Sequence, residues 1–342
     1  MTASKKTTIK DVAKKAGVSV TTVSLVLNGK GISVPESTKE RIYRAAEELR
    51  YTPNFTARSL VMGRTNMIGV VVPAVTNVFF AELVRSLQKE FSFYGYDIVL
   101  CNNEETAEKD SKYISLLAGK NIDGLIVAPG AESLSENKVD ELKETLSKLH
   151  IPYLFLDRYV AEFAPRVSVD NRRSAYVLAD YLLKKGHKKI GVITGPMQLN
   201  SSFNRLKGFR ERFAEEGLDI DEDKVFVGRY DVESGEKAAQ ELLKTDVTAI
   251  CAFSDMQAYG VYKKVKELGK RVPEDISVVG FDDNVYSSLL DKPLTTMRQP
   301  IDELAAAAVE IMTALIERKE VVKTRKFPAR LIERESVKTL NE

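Results

Sequence analysis

Apolar positions recur at two different periods along this chain, and the change of period divides it. Between residues 8 and 51 the spacing is helical. Thr8 followed three places later by Asp11 is a capping-box signal, and Ile9, Val12, Ala13 and Ala16 then form one stripe at 3.6 spacing, which predicts a first helix. Gly17 stands where that helix would end in a left-handed residue. Ser19 is placed to cap a second helix that buries Val23, Val26 and Leu27, with Val18 filling the space between the two. Val20, Thr21, Thr22 and Leu25 are left pointing outward, with Asn28 and Gly29 at the exit. A third helix is predicted from about Pro35 to Arg50, with Pro35 at its first position and Ile42, Ala45, Ala46 and Leu49 as its packing face. Residues 55–63 offer one or two further helical turns with nothing of their own to cover Leu60 and Met62. So short a helix is unstable alone in water and would order only when something else covers it.

From Met67 onward, short apolar runs alternate with amphipathic stretches. The runs 68–72, 98–101, 125–127, 153–156, 190–193, 249–253 and 277–281 read as buried parallel strands. Helical stretches 79–93, 111–118, 175–185, 203–215, 236–243 and 258–268 separate them, and Gly95, Gly119, Gly186, Gly217 and Gly269 stand at helix ends as C-terminal caps. Four such units precede residue 165 or so and a second set follows. The expected fold is therefore an N-terminal all-α helix-turn-helix headpiece on an α/β body of two similar lobes with doubly wound parallel sheets. The expected boundaries are 1–52 for the headpiece, 53–65 for a hinge helix and linker, and 66–342 for the body. Within the body, lobe 1 is expected at about 66–168 and 300–326, and lobe 2 at about 169–299 and 327–342. Residues 169–171 and 297–300 are the expected crossings, and a long helix over 302–318 with a last strand near 322–331 would return the chain across the hinge. Sheets of this kind bind ligands at the carboxyl ends of their strands.

Charge sharpens the contrast between the two parts. The whole chain is close to neutral at +2, yet residues 1–64 carry 12 Lys and Arg against 5 Asp and Glu, and the remainder is mildly acidic. A basic head that also carries helical apolar patterning is the electrostatic footprint of contact with nucleic-acid phosphates. The outward row of the second helix has small and hydroxyl-bearing residues at its start, which lets a helix approach base edges in a major groove. Composition, 44% hydrophobic and 29% charged, is that of a globular protein. No apolar run suggests a secretory signal or a membrane span, so the expected location is the cytoplasm, with Cys101 and Cys251 reduced and buried.

Catalytic signatures are missing. There is no Gly-x-Gly-x-x-Gly after a strand, no Walker loop and no Gly-x-Ser-x-Gly elbow, and the cysteines and histidines lack metal-ligand spacing. His187, in Lys-Lys-Gly-His-Lys-Lys, reads as part of a solvated turn. No cofactor, metal site or enzymatic activity is expected.

Six blocks together resemble the LacI/GalR family of bacterial transcription repressors: Thr8-Ile-Lys-Asp-Val-Ala, Val18-Ser-Val-Thr-Thr-Val-Ser, Tyr51-Thr-Pro-Asn, Ala57-Arg-Ser-Leu60, Val278-Val-Gly-Phe-Asp282 and Leu331-Ile-Glu-Arg-Glu-Ser336. The resemblance implies a body similar to periplasmic sugar-binding proteins, paired as a homodimer on a palindromic operator, with no membrane association. It places Thr8, Ser19, Val20, Thr21, Thr22, Leu25, Asn28, Ala57 and Arg58 among the DNA contacts and Leu60 at a minor-groove wedge. The body is similar to ribose-binding proteins at Asn77, Phe79, Phe80, Asp157, Arg158, Arg205, Tyr230, Asp255 and Asp282, with Ser254 where the ribose pattern has Asn and Arg298 where it has Gln. Leu199 replaces an Arg that contacts the base in the purine-binding member, which disfavours a purine. A small sugar, sugar acid or sugar phosphate is the expected effector. Arg298 stands as either its anion contact or an outward-turned hinge residue. The alternative within the class is a global carbon-catabolite regulator that needs a phosphoprotein corepressor.

Overall fold

The computed structural model describes residues 7–27, 33–51 and 64–340. They fall into two compact units divided between Thr65 and Asn66. In the first, α1 (Ile9–Ala16), α2 (Val20–Leu27) and α3 (Glu36–Glu48) pack Val12, Ala13, Val23, Val26, Ile42 and Ala45 into one small core. The Thr8–Asp11 capping box forms, with the Thr8 amide donating to the Asp11 carboxylate at 2.9 Å, and Gly17 ends α1 at φ 67°. Ser19 Oγ accepts from the Thr22 amide at 3.1 Å, the cap its position predicts. Pro35 lies one place earlier than expected, as the N-cap of α3, and Leu27 is half-buried.

The second unit alternates strand and helix. Its first half comprises β1 (Met67–Val72), α4 (Val78–Phe93), β2 (Asp97–Asn102), α5 (Ala107–Gly119), β3 (Gly124–Val127), α6 (Val139–Ser147), β4 (Tyr153–Leu156) and β5 (Arg166–Val169). Then come α7 (Asn171–Lys184), β6 (Ile190–Thr194), α8 (Asn200–Glu215), β7 (Val225–Val227), α9 (Val232–Leu242), β8 (Ala249–Ala252), α10 (Asp255–Glu267), β9 (Ser277–Val279) and β10 (Thr296–Arg298). The chain closes with α11 (Ile301–Ile316), β11 (Thr324–Phe327) and β12 (Arg330–Ile332).

Two parallel sheets result, ordered β11-β5-β4-β3-β1-β2 and β7-β6-β8-β9, and β10 pairs antiparallel with β12. Their strands read as continuous apolar runs because helices cover both faces. Three segments pass between the sheets: β5 into α7, β10 into α11, and β11 into β12. One apolar cluster, including Phe91, Phe209, Phe253 and Phe281, draws on both halves. Burying each of these rings contributes about 2–3 kcal/mol.

Several expectations need correction. β5, β7 and α6 were not expected, since Arg166-Val-Ser-Val169 is too short and too polar at its start to stand out as a buried run. Gly119 is the last residue of α5 rather than a left-handed cap, whereas Gly95, Gly186, Gly217 and Gly269 do adopt positive φ. Cys101, on edge strand β2, is half-buried; Cys251 is fully buried. His187 is no solvated turn: it is fully buried, with Nδ1 2.9 Å from Thr248 Oγ1 and Nε2 3.0 Å from the Lys338 carbonyl. Residues 336–340 lie over it, a contact invisible from its lysine-rich neighbours. Burial holds its pKa below the ordinary histidine value.

Candidate functional site

Between the two sheets lies a cleft lined by the residues that follow their strands, the position where strand order reverses and ligands sit in doubly wound folds. From the first sheet, Asn77 caps α4, its side chain accepting from the Phe79 amide at 3.0 Å while also facing the cleft. Phe79 and Phe80 follow, edge to face at 5.0 Å and almost fully buried. Asp157 and Arg158 leave β4, with Asp157 at φ 65°. From the second sheet come Ser201 and Arg205 on α8, Tyr230 ahead of α9, Ser254 capping α10, and Asp282 after β9 at φ 144°. Positive φ at non-glycine residues is a strain that persists where the surroundings enforce it, and here it falls on both cleft carboxylates.

The cations are held rigidly. Arg205 donates through Nε to Asn171 Oδ1 at 2.7 Å and through an Nη to the Phe253 carbonyl, and its guanidinium lies 3.5 Å from the Phe281 ring centroid. Arg158 is forked onto Glu105, with Nη–Oε distances of 2.6 and 3.0 Å, and its guanidinium lies 5.4 Å from the Phe80 ring centroid. Tyr230 places its hydroxyl 2.8 Å from Ser202 Oγ, and its ring occupies the space beside Gly195, where any Cβ would come within 2.5 Å of it. Burial raises the pKa of Asp157, opposed by Arg158 and Arg205. Burial together with the Asp255 carboxyl pushes Asp282 up to about 8.

Two cleft acceptors, Asp157 Oδ1 and Gln299 Oε1, are buried with no hydrogen-bond partner among the described residues. Unpaired buried acceptors are rare and call for a donor. Donors arriving as hydroxyls, apolar ring faces against Phe79, Phe80 and Tyr230, and guanidinium donors for ring oxygens make up the chemistry of polyol recognition. The free space is small, about 30 Å³, roughly room for two waters. A larger groove of about 900 Å³ lies beside α7 and α8, where Arg172 pairs with Glu211 at 2.6 Å and the Tyr176 hydroxyl donates to Glu215 at 2.5 Å.

Two expected contacts lie elsewhere. Arg298 is 58% exposed and turned away, pairing with Asp283 at 2.6 Å. Gln299 lines the cleft instead, its Nε2 donating to Asp282 Oδ1 at 2.5 Å. Leu294 to Met297 are buried throughout and Arg298 is the first exposed residue, so no alternation in the sequence marked Gln299 out. Asp255 is wholly internal, accepting from Ser287 and Thr296 hydroxyls, each at 2.5 Å, and from the Asn284 amide at 3.0 Å. It braces the wall behind Asp282 instead of facing a ligand. Ser201, Gln299 and Glu105 were not among the expected residues.

In the N-terminal unit, Thr8, Ser19, Val20, Thr21 and Leu25 are exposed on the surface and Thr22 is half-buried through its bond to Ser19. Val20 and Leu25 are unusually exposed apolar side chains, 39% and 41%. Asn28, Ala57, Arg58 and Leu60 lie outside the described residues.

Comparison with known proteins agrees with both halves of this picture. Residues 8–54 match the model for bacterial regulatory proteins of the lacI family, and residues 179–337 match a periplasmic binding protein-like domain. The ribose operon repressor of Halalkalibacterium halodurans is 37% identical over 335 residues, 97% of each chain. The chain belongs to the LacI family. The HTH-type transcriptional regulator DegA of Bacillus subtilis is also 37% identical, over 88% of this chain and 89% of its own. Among solved structures, the lac repressor dimer bound to operator and the anti-inducer ONPF superposes with a TM-score of 0.87 at 26% identity, covering 98% of this chain and all of that one. This LacI-family member is a DNA-binding transcriptional repressor with an effector-binding body, and not an enzyme. As a regulator of transcription it works in the cytoplasm.

Proposed function

We propose that the chain is a homodimer that holds a palindromic operator and is released by a neutral monosaccharide of the pentose class. The observation that carries the ligand reading is the pair of unpartnered buried acceptors, Asp157 Oδ1 and Gln299 Oε1, set among Arg158, Arg205, Asn77 and three aromatic rings. The anionic alternative loses its cation, because Arg298 faces away and is neutralised by Asp283. Similarity to a ribose operon repressor supports the same ligand class. On DNA, Val20, Thr21 and Leu25 would read base edges, with Thr8, Ser19, Thr22, Asn28, Ala57 and Arg58 around them and Leu60 wedged into the minor groove. Exposed apolar side chains in the body support pairing of two copies: Phe93, Tyr94, Leu100 on edge strand β2, and Leu116 in the first half, with Val285, Tyr286 and Leu289 in the second. Ligand closing the lobes would shift the population away from the operator-bound arrangement by its differential affinity for the closed state.

Calorimetric titration of the full chain with D-ribose, other neutral pentoses, ribose 5-phosphate and a pentonic acid tests the ligand class. A neutral pentose is expected to bind with Kd of roughly 1–100 µM, about −5 to −8 kcal/mol. Tighter binding of the phosphate or the acid than of every neutral sugar would contradict it.

A further inference from the structure

The carboxylate that faces Arg158 is presented by an unusually constrained loop. Glu104 and Glu105 both adopt left-handed backbone, φ 52° and 65°, a conformation costly for residues with a Cβ. What enforces it is a buried polar network. Asn103, fully buried, accepts from the Glu105 amide at 2.9 Å and donates to Asp110 Oδ1 at 2.7 Å and to the Ala128 carbonyl at 3.2 Å. Asp110, also fully buried, accepts in turn from the Gly130 amide at 2.8 Å and the Ser133 hydroxyl at 2.6 Å. Gly130 has no room for a side chain, since a Cβ would lie 2.6 Å from the Glu105 backbone. The Glu105 carboxylate itself accepts from the Ala131 amide at 2.8 Å, which fixes its fork toward Arg158.

The consequence is chemical. Arg158 is 3% exposed and the two ends of its guanidinium are taken by Glu105, one of them also by the Pro129 carbonyl at 3.2 Å. Its positive charge is spent inside the protein before any ligand arrives. The end-on fork of its two terminal nitrogens, the usual grip on a phosphate or carboxylate, is therefore already occupied by a carboxylate of the protein.

We infer that Glu105 is a specificity-determining positioning residue, which cancels Arg158 and so makes the cleft select neutral sugars against their anionic derivatives. This rests on the sugar reading of the cleft. The test uses the full chain and its Glu105→Gln variant, titrated calorimetrically with D-ribose and ribose 5-phosphate. The wild type is expected to favour ribose by at least about tenfold, and the variant to move that ratio at least about tenfold toward the phosphate. A merely structural role would weaken both ligands together and leave the ratio where it was, which would overturn the inference. A second measurement does not depend on which sugar is bound: inorganic phosphate in the millimolar range should raise the thermal midpoint of Glu105→Gln but not that of the wild type or of Glu105→Gln combined with Arg158→Gln. Absence of any phosphate response in the single variant would equally overturn it. Failure of the wild type to bind either sugar, with the phosphate response present, would sink the pentose reading and leave the role of Glu105 standing.

Discussion

Replacing Arg205 with alanine is expected to leave operator binding in place and abolish its release by effector. Arg205 is 4% exposed, its guanidinium gripped by Asn171 and the Phe253 carbonyl and stacked on Phe281, so it presents its remaining donors to the cleft in one fixed orientation. Losing charge-assisted donors to a buried ligand costs on the order of 3 kcal/mol, about a hundredfold in Kd. The truncation also strips packing from between Phe281 and Tyr230, so the body should lose about 2–4 kcal/mol of stability. The headpiece core, built from Val12, Val23, Val26 and Ile42, contains none of these residues. Anisotropy titration on operator, with and without sugar, reads both effects. Normal release by sugar in this variant would remove Arg205 from the site.

The second large effect concerns Asp282, where ligand binding and stability should part. Its carboxyl is buried beside Asp255 and near Arg205, with Gln299 donating to it, and its pKa stands at about 8 against an ordinary 3.8. Between those values the folded chain keeps a proton that the unfolded chain has released. The unfolded state therefore binds fewer protons, and stability falls as pH rises across that window, at most by about 1.4 kcal/mol per pH unit. Asp282→Asn removes the Asp282 share of this titration and leaves the neighbouring Asp255, itself raised by burial, to titrate without a partner carboxyl. The variant is expected to gain on the wild type steadily from pH 4 to pH 8, while its affinity for a neutral sugar drops roughly tenfold to a hundredfold. Parallel stability profiles in denaturant across that range would show that Asp282 is ionised in the folded protein.

The helix-turn-helix was legible in sequence because all its signals are local: a capping box at Thr8 and Asp11, a left-handed Gly17 and a cap at Ser19 each act within four residues. Parallel strands were legible for a related reason, since burial on both faces leaves uninterrupted apolar runs such as Met67–Val72. What escaped depended on partners far along the chain. Glu105 sits in an acidic pair with no local signal to mark it, and its partner Arg158 is 53 residues away. His187 lies among lysines, yet is sealed by Lys338, 151 residues on. Arg298 ends β10 exposed while the next residue, Gln299, turns into the cleft, so which of the two faces inward depended on how the chain leaves that short strand. Asp255 has the side chain of a ligand contact, but only the hydroxyls of Ser287 and Thr296 reveal that its acceptors are already filled.

The account stands or falls on whether occupancy of the cleft controls occupancy of DNA. The most direct measurement takes the full chain through selection on a random duplex library at physiological salt, then follows anisotropy on the selected sequence as a neutral pentose is added. A palindrome bound at least about a thousandfold more tightly than scrambled duplex is expected. The pentose should lower that affinity by about 5- to 150-fold, and Leu60→Ala should weaken specific binding while sparing non-specific binding. Equal affinity for palindrome and scrambled duplex, or operator binding unmoved by a pentose that calorimetry shows to be bound, would contradict it.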